Sequence, residues 1–408
     1  MKHASPLLPQ EEAFDILLKE LSAVGSEDIP LVEAQGRVLS GDVVARLTHP
    51  KRAVSAMDGY AVHSNSIKTV PVDLDVVEVA QAGGALPRSL PQGKACRIFT
   101  GAPLPEGADT IVIQENTEKP SETTVRVLQS ENPGRFVRPA GLDFSAGDIG
   151  IRAGKRLNDR DLALAAAMGY SWLSVRRRPR IGILATGDEV VLPGEPMADN
   201  QIISSNTIAL TGFVKNQECD PVFLGIARDN EDDLKDKVLS QLAQFDLIVT
   251  TGGASVGDFD LVRRLLAEEE ETRVYFSKLA VRPGKPVIFA KRRGIPVLAL
   301  PGNPVSAIVG AHTMLKLALQ CLSGLSNPSL AYDSAILGSV IPENDQRMEY
   351  MRAELSFSET GTLLVTPYSK QDSGMLSTLQ KATALIIRPA LSPVMKPGDS
   401  VRIIRLDR

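Results

Sequence analysis

Between Arg180 and Leu322 four short, continuously apolar runs (181–185, 221–226, 246–250 and 297–300) alternate with stretches of helical texture at about 205–215, 231–244 and 261–270. Apolar runs without a polar alternation belong to strands covered on both faces, the habit of a parallel sheet. Strand–helix alternation of that kind predicts a three-layer α/β domain, closing near Leu322. Asp229 stands where an N-cap precedes the second helix. In such a sheet, ligands bind beyond the carboxyl ends of the strands, so those ends are where function is sought.

The other segments have different textures. With 408 residues the chain is too long for one core and divides into roughly two to four domains. Pro9 opens a helical period through Phe14, Leu17, Leu18 and Leu21 that Gly25 ends. Residues 53–138 alternate short β-branched runs (70–79, 96–99, 110–114, 124–128) with Gly/Pro punctuation, the pattern of an inserted all-β module. Asn158 caps a helix that Gly169 terminates. After Pro328 the β texture returns at 335–340, 347–355, 363–367, 384–388 and 400–406, predicting a separate small C-terminal β domain. The expected division is 1–52 with 139–179, 53–138, 180–326 and 327–408.

Composition narrows the partners. Forty-five Lys and Arg against 49 Asp and Glu give a net charge of -4, which argues against nucleic acid as a general partner. Cys96, Cys219 and Cys321 form no CxxC pair, and the four histidines show no HxxxH spacing, so neither a zinc site nor a disulfide framework is expected. The N-terminal segment reaches Glu11 and Glu12 with no secretory apolar stretch, and 305–322 carries Ser306, His312, Lys316 and Gln320, reading as a buried helix rather than a membrane span. The expectation is a reduced, cytoplasmic protein.

Each strand end carries a polar or glycine-rich cluster: Thr186-Gly187-Asp188-Glu189, Thr251-Gly252-Gly253-Ala254-Ser255-Val256-Gly257-Asp258, and Pro301-Gly302-Asn303-Pro304-Val305-Ser306. One such cluster would merely shape a turn; three at equivalent places favour backbone N–H groups approaching an anion. Gly252 and Gly257 have Walker A spacing, but Asp258 and Phe259 replace its Lys and Ser/Thr, and the chain has neither G-x-G-x-x-G nor G-x-S-x-G. Lys278, Arg282 and Lys285 concentrate positive charge in a loop stiffened by Pro283 and Pro286, a preorganised anion site. Asp188, Asp229 and Asp258 each follow a strand and offer the oxygen-only ligands that Mg²⁺ takes, although Asp229 also reads as a cap. The Asp58-Gly59 pair in Ser55–Tyr60 reads as a turn, and Phe99-Thr100-Gly101-Ala102-Pro103 as a loop.

These motifs, with Pro283-Gly284-Lys285-Pro286, occur in the order found in the molybdopterin molybdenumtransferases, which the chain resembles over essentially its whole length: MoeA in bacteria, the E domain of gephyrin in animals. The resemblance implies a multi-domain α/β plus β fold: a central three-layer molybdopterin-binding-like domain, an inserted β module, a C-terminal β domain and an elongated dimerisation region at 1–52 and 139–179. It implies Mg²⁺-dependent insertion of molybdate into adenylylated molybdopterin, releasing AMP and molybdenum cofactor. The site would lie between the α/β domain of one subunit and the β module of its homodimer partner, with a transient contact to the upstream adenylyltransferase.

Carried over residue by residue, the resemblance gives Asp58, Thr100, Asp143, Lys278 and Lys285 catalytic roles. It assigns Asp188, Glu189, Asp229, Gly252, Gly253, Ser255, Gly257, Pro301, Gly302, Asn303 and Ser306 to substrate and nucleotide, Asp188 and Asp258 to Mg²⁺, and Arg352 and Ser373 to molybdate. Many relatives have glycine before that serine, whereas Asp372 stands here; its charge weakens an oxyanion site unless the side chain turns away. The alternatives are a non-catalytic molybdopterin-binding scaffold and a tungstate-inserting variant.

Overall fold

A computed structural model describes residues 7–228, 237, 242–252 and 272–406 of the chain. Its central sheet has six strands in the order Asp220–Ala227, Arg180–Thr186, Leu247–Thr251, Ile295–Leu300, Ile288–Arg292, Thr272–Phe276. The first four are mutually parallel and the last two antiparallel. Successive residues point to opposite faces of a strand, and here both faces are buried. Ile181, Ile183, Leu247, Val249, Leu298 and Leu300 enter one core, whereas Leu184, Ile248, Val297 and Ala299 enter the other. The four apolar runs of the sequence are thus the parallel strands; the sheet is extended by Ile288–Arg292, joined through Gly294 to Ile295–Leu300 as an antiparallel hairpin, and by Thr272–Phe276, antiparallel to Ile288–Arg292. Helix Ser205–Asn216 packs on the first face. The expected helix at 261–270 and most of that at 231–244 lie outside the described residues.

Helix Pro304–Leu322 is long and apolar enough to cross a membrane, yet 78% of its most apolar window is buried inside the protein. It is the central core helix. Residues 311–315 within it form a π-helical segment.

Two expectations about independence are corrected by packing. Helix Gln10–Glu20 does not stay with the N-terminal linker: Ala13, Leu17 and Leu21 bury against the α/β core beside Leu317 and Leu319. Leu8 N–H donates to the Lys278 carbonyl, and the Glu20 carboxylate accepts from Tyr275 Oη (2.5 Å) and Lys291 Nζ (3.1 Å). An amphipathic helix needs an apolar partner, and the linker's own cluster, centred on Leu39, Leu157 and Val175, is already closed.

The C-terminal region is, as expected, a β domain with its own core around Leu337, Ala353 and Ile386, but it does not stand apart from the α/β domain. Strands Met348–Phe357, Leu363–Pro367, Asp333–Leu337, Ser400–Arg405 and Ala384–Arg388 close into a barrel by the pairing of the last with the first. The two-residue strand Val281–Arg282, from the α/β domain, adds to this sheet in parallel with Met348 and Glu349. Tyr350, Leu385, Ile387 and Ile404 of the barrel belong to the α/β core cluster.

The linker pairs Ser26–Pro30 with Trp172–Arg176, and Val43–Val44 with Ile149–Ile151. Its helix Asp159–Ala167 starts with a reciprocal capping box between Asn158 and Asp161. The paired strands Val54–Ser55 and Val137–Arg138 form the neck through which the β module leaves and rejoins. That module is a six-stranded sheet ordered Thr110–Ile113, Gly59–Val62, Lys94–Ile98, Val72–Ala80, Thr124–Val127, Thr117–Ser121. Residues 56–58 bend the chain between Val54–Ser55 and Gly59–Val62, so the turn falls before Gly59, which already belongs to the strand. A Cβ on Gly59 would overlap the Val112 carbonyl oxygen and come within 2.9 Å of Ile113 Cα, so this glycine permits close strand approach.

Candidate functional site

The carboxyl ends of strands Arg180–Thr186, Leu247–Thr251 and Ile295–Leu300 open into a cleft of about 550 Å³. It lies at the switch point of the sheet, where the chain has gone first to one neighbour of Arg180–Thr186 and then to the other. Thr186, Glu189, Thr251, Gly252, Gly302 and Asn303 are among its walls. Gly252, at φ +95°, cannot be replaced without collision: a Cβ would overlap the Thr186 carbonyl oxygen and reach 2.8 Å from its Oγ1. The Thr186 hydroxyl is buried and has no hydrogen-bond partner among the described residues. Asp188 and Glu189 are exposed beyond the strand end, and of the two Glu189 lines the cleft.

Asn206, in the first turn of helix Ser205–Asn216, ties these loops together. Its Nδ2 donates to Thr251 Oγ1 and to the Gly302 carbonyl, both at 2.8 Å, while Thr251 Oγ1 also donates to the Pro301 carbonyl at 3.4 Å. Sequence reasoning missed Asn206, because a polar residue at a helix start reads as routine; its one signal was a place beside three glycine-rich strand ends.

A second cleft, of about 560 Å³, adjoins the first at Pro286 and lies between the α/β domain and the barrel. Arg282, Lys285 and Arg347 face Glu349 and Asp372 across it, with Ser306 and Ser373 also on its walls. The Arg282 guanidinium is committed, donating to Glu349 (2.5 Å), Asn344 (3.4 Å) and Asp345 (3.4 Å). Glu349 in turn accepts from buried Arg388 at 3.0 Å, and Arg347 pairs with Asp345 at 2.7 Å. The Lys285 ammonium makes no hydrogen bond or ion pair among the described residues, so its charge is available to a ligand. Its carbonyl accepts from Leu279 and Val287, which fixes the loop.

Ser373 meets the first cleft from the other side: its Oγ accepts from Asn303 Nδ2 (3.1 Å), and its carbonyl takes the Val305 N–H (3.1 Å). Asp372 does turn toward its own backbone, accepting the Gly374 N–H at 2.8 Å.

Arg352 and Lys278 stand elsewhere than expected. Arg352 is 1% exposed and lines neither cleft. Its guanidinium donates to the Met375 and Lys370 carbonyls and to Gln371, so it braces the loop carrying Ser373. An arginine on a barrel strand that is buried on both sides spends its fork on backbone carbonyls, and burial lowers its pKa against the opposing effect of Asp372. Lys278 lines neither cleft, whereas Arg282, oriented by pairing with the barrel, lines the second.

Asp58 and Thr100, 42 positions apart, are in direct contact. Asp58 Oδ1 accepts the Thr100 N–H at 2.7 Å and its hydroxyl at 2.8 Å, on the exposed edge of the β module. The two Thr100 bonds, backbone first, and the more distant Arg97 charge hold the Asp58 carboxyl below its ordinary value of 3.8. No residue of 53–138 lines either cleft. Asp143 is exposed on the linker, its N–H bonded to the His49 carbonyl, and is in neither. Asp229, Gly253, Ser255, Gly257 and Asp258 lie outside the described residues. Among the described residues, no group of three or more His, Cys, Asp or Glu is placed to hold a metal ion.

A switch-point cleft of this kind, bordered by a cationic loop and a barrel, marks an α/β protein built to hold a small anionic ligand between domains. Family models match in succession: "MoeA N-terminal region (domain I and II)" over 8–169, "Probable molybdopterin binding domain" over 182–320 and "MoeA C-terminal region (domain IV)" over 334–406. A molybdopterin molybdenumtransferase of Nostoc sp. is 32% identical over 401 residues, covering 96% of this chain and 92% of that protein. Molybdopterin molybdenumtransferase 2 of Mycobacterium tuberculosis is 35% identical over 369 residues, 88% of this chain and 90% of its own. The crystal structure of a molybdopterin biosynthesis MoeA protein from Pyrococcus horikoshii superposes with a TM-score of 0.83 at 28% identity, covering 98% of this chain and 99% of that one. The chain belongs to the molybdopterin molybdenumtransferase family, the MoeA proteins, and is by that membership a transferase.

Proposed function

We propose that this enzyme inserts molybdate into adenylylated molybdopterin with the help of Mg²⁺, releasing AMP and molybdenum cofactor. The observation that carries this reading is the pair of adjoining clefts, one loop-walled with the Glu189 carboxylate at its rim, the other bearing an uncommitted lysine. A substrate that is both nucleotide-like and pterin-like fits the first, where Gly252 and Gly302 allow close backbone approach. A tetrahedral oxyanion fits the second, where Lys285 supplies charge while Arg282 and Arg347 are already neutralised by carboxylates. Ser373 and Asn303, bonded to each other, stand where the clefts meet and keep the oxyanion next to the pterin.

The oxygen donors at the strand end suit Mg²⁺. Asp188 would hold it, together with Asp258 of the glycine-rich segment, and it would neutralise the phosphoanhydride of the substrate. Asp58, kept ionised by Thr100, is the carboxylate that a partner subunit's β module brings to the cleft; the absence of any 53–138 residue from the walls supports a homodimeric site. Three free, buried cysteines whose thiol pKa values are raised by burial accord with a reducing cytoplasm, and an adenylyltransferase would deliver the substrate.

Purified protein given adenylylated molybdopterin and Mg²⁺ releases AMP at a rate set by molybdate. Lys285→Ala raises the half-saturating molybdate concentration roughly tenfold or more, the loss of one charge-assisted contact, and Asp58→Ala lowers kcat; both retain the fold. AMP release indifferent to molybdate would favour the scaffold reading, and wild-type behaviour of both variants would discard the site assignment. Competing tungstate against molybdate in the same assay establishes the metal preference.

A further inference from the structure

Arg97 lies behind the Asp58–Thr100 pair, and each of its contacts ends on a neighbour of one or the other. It sits on strand Lys94–Ile98, directly across from Tyr60. Its Nη1 donates to the carbonyl of Gly59, the residue after Asp58, at 3.0 Å. Its Nη2 donates at 2.9 Å to the side chain of Gln114, whose own N–H holds the Asp58 carbonyl at 3.2 Å. The guanidinium carbon lies 4.7 Å from the ring centre of Phe99, the residue before Thr100, and 5.1 Å from that of Tyr60. The two fork nitrogens thus hold the residue after Asp58 and the Gln114 that secures the Asp58 carbonyl, while the flat face reaches the residue before Thr100. Arg97 also lines a shallow cleft on the β module, where, among the described residues, the other charged side chains, Lys119 and Glu122, pair with each other at 2.7 Å.

We propose that Arg97 is a positioning residue for Asp58, holding the 55–58 and 99–102 loops together through its fork and its two stacking contacts. The proposal rests on the transferase reading for its kinetic consequence, but not for its structural one. A lysine retains the charge while losing the two-pronged geometry and the flat face, which separates positioning from simple electrostatics.

The test is Arg97→Lys beside Arg97→Met in the full chain, with two readouts: molybdate-dependent AMP release, and a carboxyl-carbon NMR titration of Asp58. Positioning requires both variants to lose kcat, roughly 10- to 100-fold, with the half-saturating molybdate unchanged. It also requires the Asp58 midpoint to rise in both, because the Thr100 bonds that hold it low are loosened. An Arg97→Lys protein that turns over and titrates like wild type overturns the proposal in favour of charge alone. Wild-type behaviour of both variants overturns it outright. If wild-type protein releases no AMP, the transferase reading fails, and the Asp58 titration still decides the role of Arg97.

Discussion

Asn206 offers the most direct test of how the first cleft is built. Replacing it with alanine removes two donors, to Thr251 Oγ1 and the Gly302 carbonyl, each at 2.8 Å. A typical hydrogen bond contributes about 0.5–1.5 kcal/mol net. The bond to Gly302 is exposed and counts at the low end, and the Thr251–Pro301 bond survives at 3.4 Å. The loss is therefore about 1–2 kcal/mol, felt as a lower population of the arrangement in which all three strand-end loops are in place. Apparent affinity falls in proportion to that population, so AMP, as a probe of the cleft, binds more weakly, by at most roughly 5- to 30-fold. Because a chain of several domains need not unfold in one step, the effect is best read by isothermal titration with AMP and by amide hydrogen exchange at Gly252 and Gly302. Asn206→Asp keeps the volume, offers acceptors where donors are needed, and should be at least as damaging. Unchanged AMP affinity together with unchanged exchange in both variants would refute the idea that this side chain organises the cleft.

Two further outcomes follow from the β module. Gly59→Ala forces a methyl group against the Val112 carbonyl, so strand Gly59–Val62 must move away from Thr110–Ile113; overpacking and weakened ladder bonds together cost about 2–5 kcal/mol, seen as early protease cleavage within 53–138. Thr100→Val removes one of the two bonds that keep the Asp58 carboxyl below 3.8. A group with a depressed folded-state pKa contributes in its ionised form and loses that contribution as pH falls through the depressed value. The acid limb of kcat assigned to Asp58 therefore starts below the ordinary aspartate range and moves upward in Thr100→Val; an immobile limb would detach it from Asp58.

The central sheet was legible because burial on both faces leaves an unbroken apolar run, as in 181–185 and 297–300, that few other structures tolerate. Gly252 announced itself as a glycine and proved to be where backbone meets backbone. Other features were invisible for equally physical reasons. The contact between Asp58 and Thr100 depends on the pairing of Gly59–Val62 with Lys94–Ile98, which no local pattern encodes. An Asp-Gly pair has the same letters whether it turns the chain or admits a crowded neighbour, and Gly59 does the latter. Within 278–285 the spacing of charges does not say which faces a ligand; a two-residue strand pairing with the barrel turns Arg282 inward. Arg352 was singled out by resemblance alone, and nothing local in the sequence announces that its guanidinium donates to the Met375 and Lys370 carbonyls.

That two-residue loan of backbone, Val281–Arg282 to the barrel, makes the tail a wall of the site rather than an appendage. A protein nicked between 326 and 333 keeps this ladder and the shared Tyr350 and Ile387 packing, and its fragments stay together. One ending at 326 exposes an apolar scar and loses half of the second cleft, so no shortened chain that dispenses with the barrel can retain that cleft.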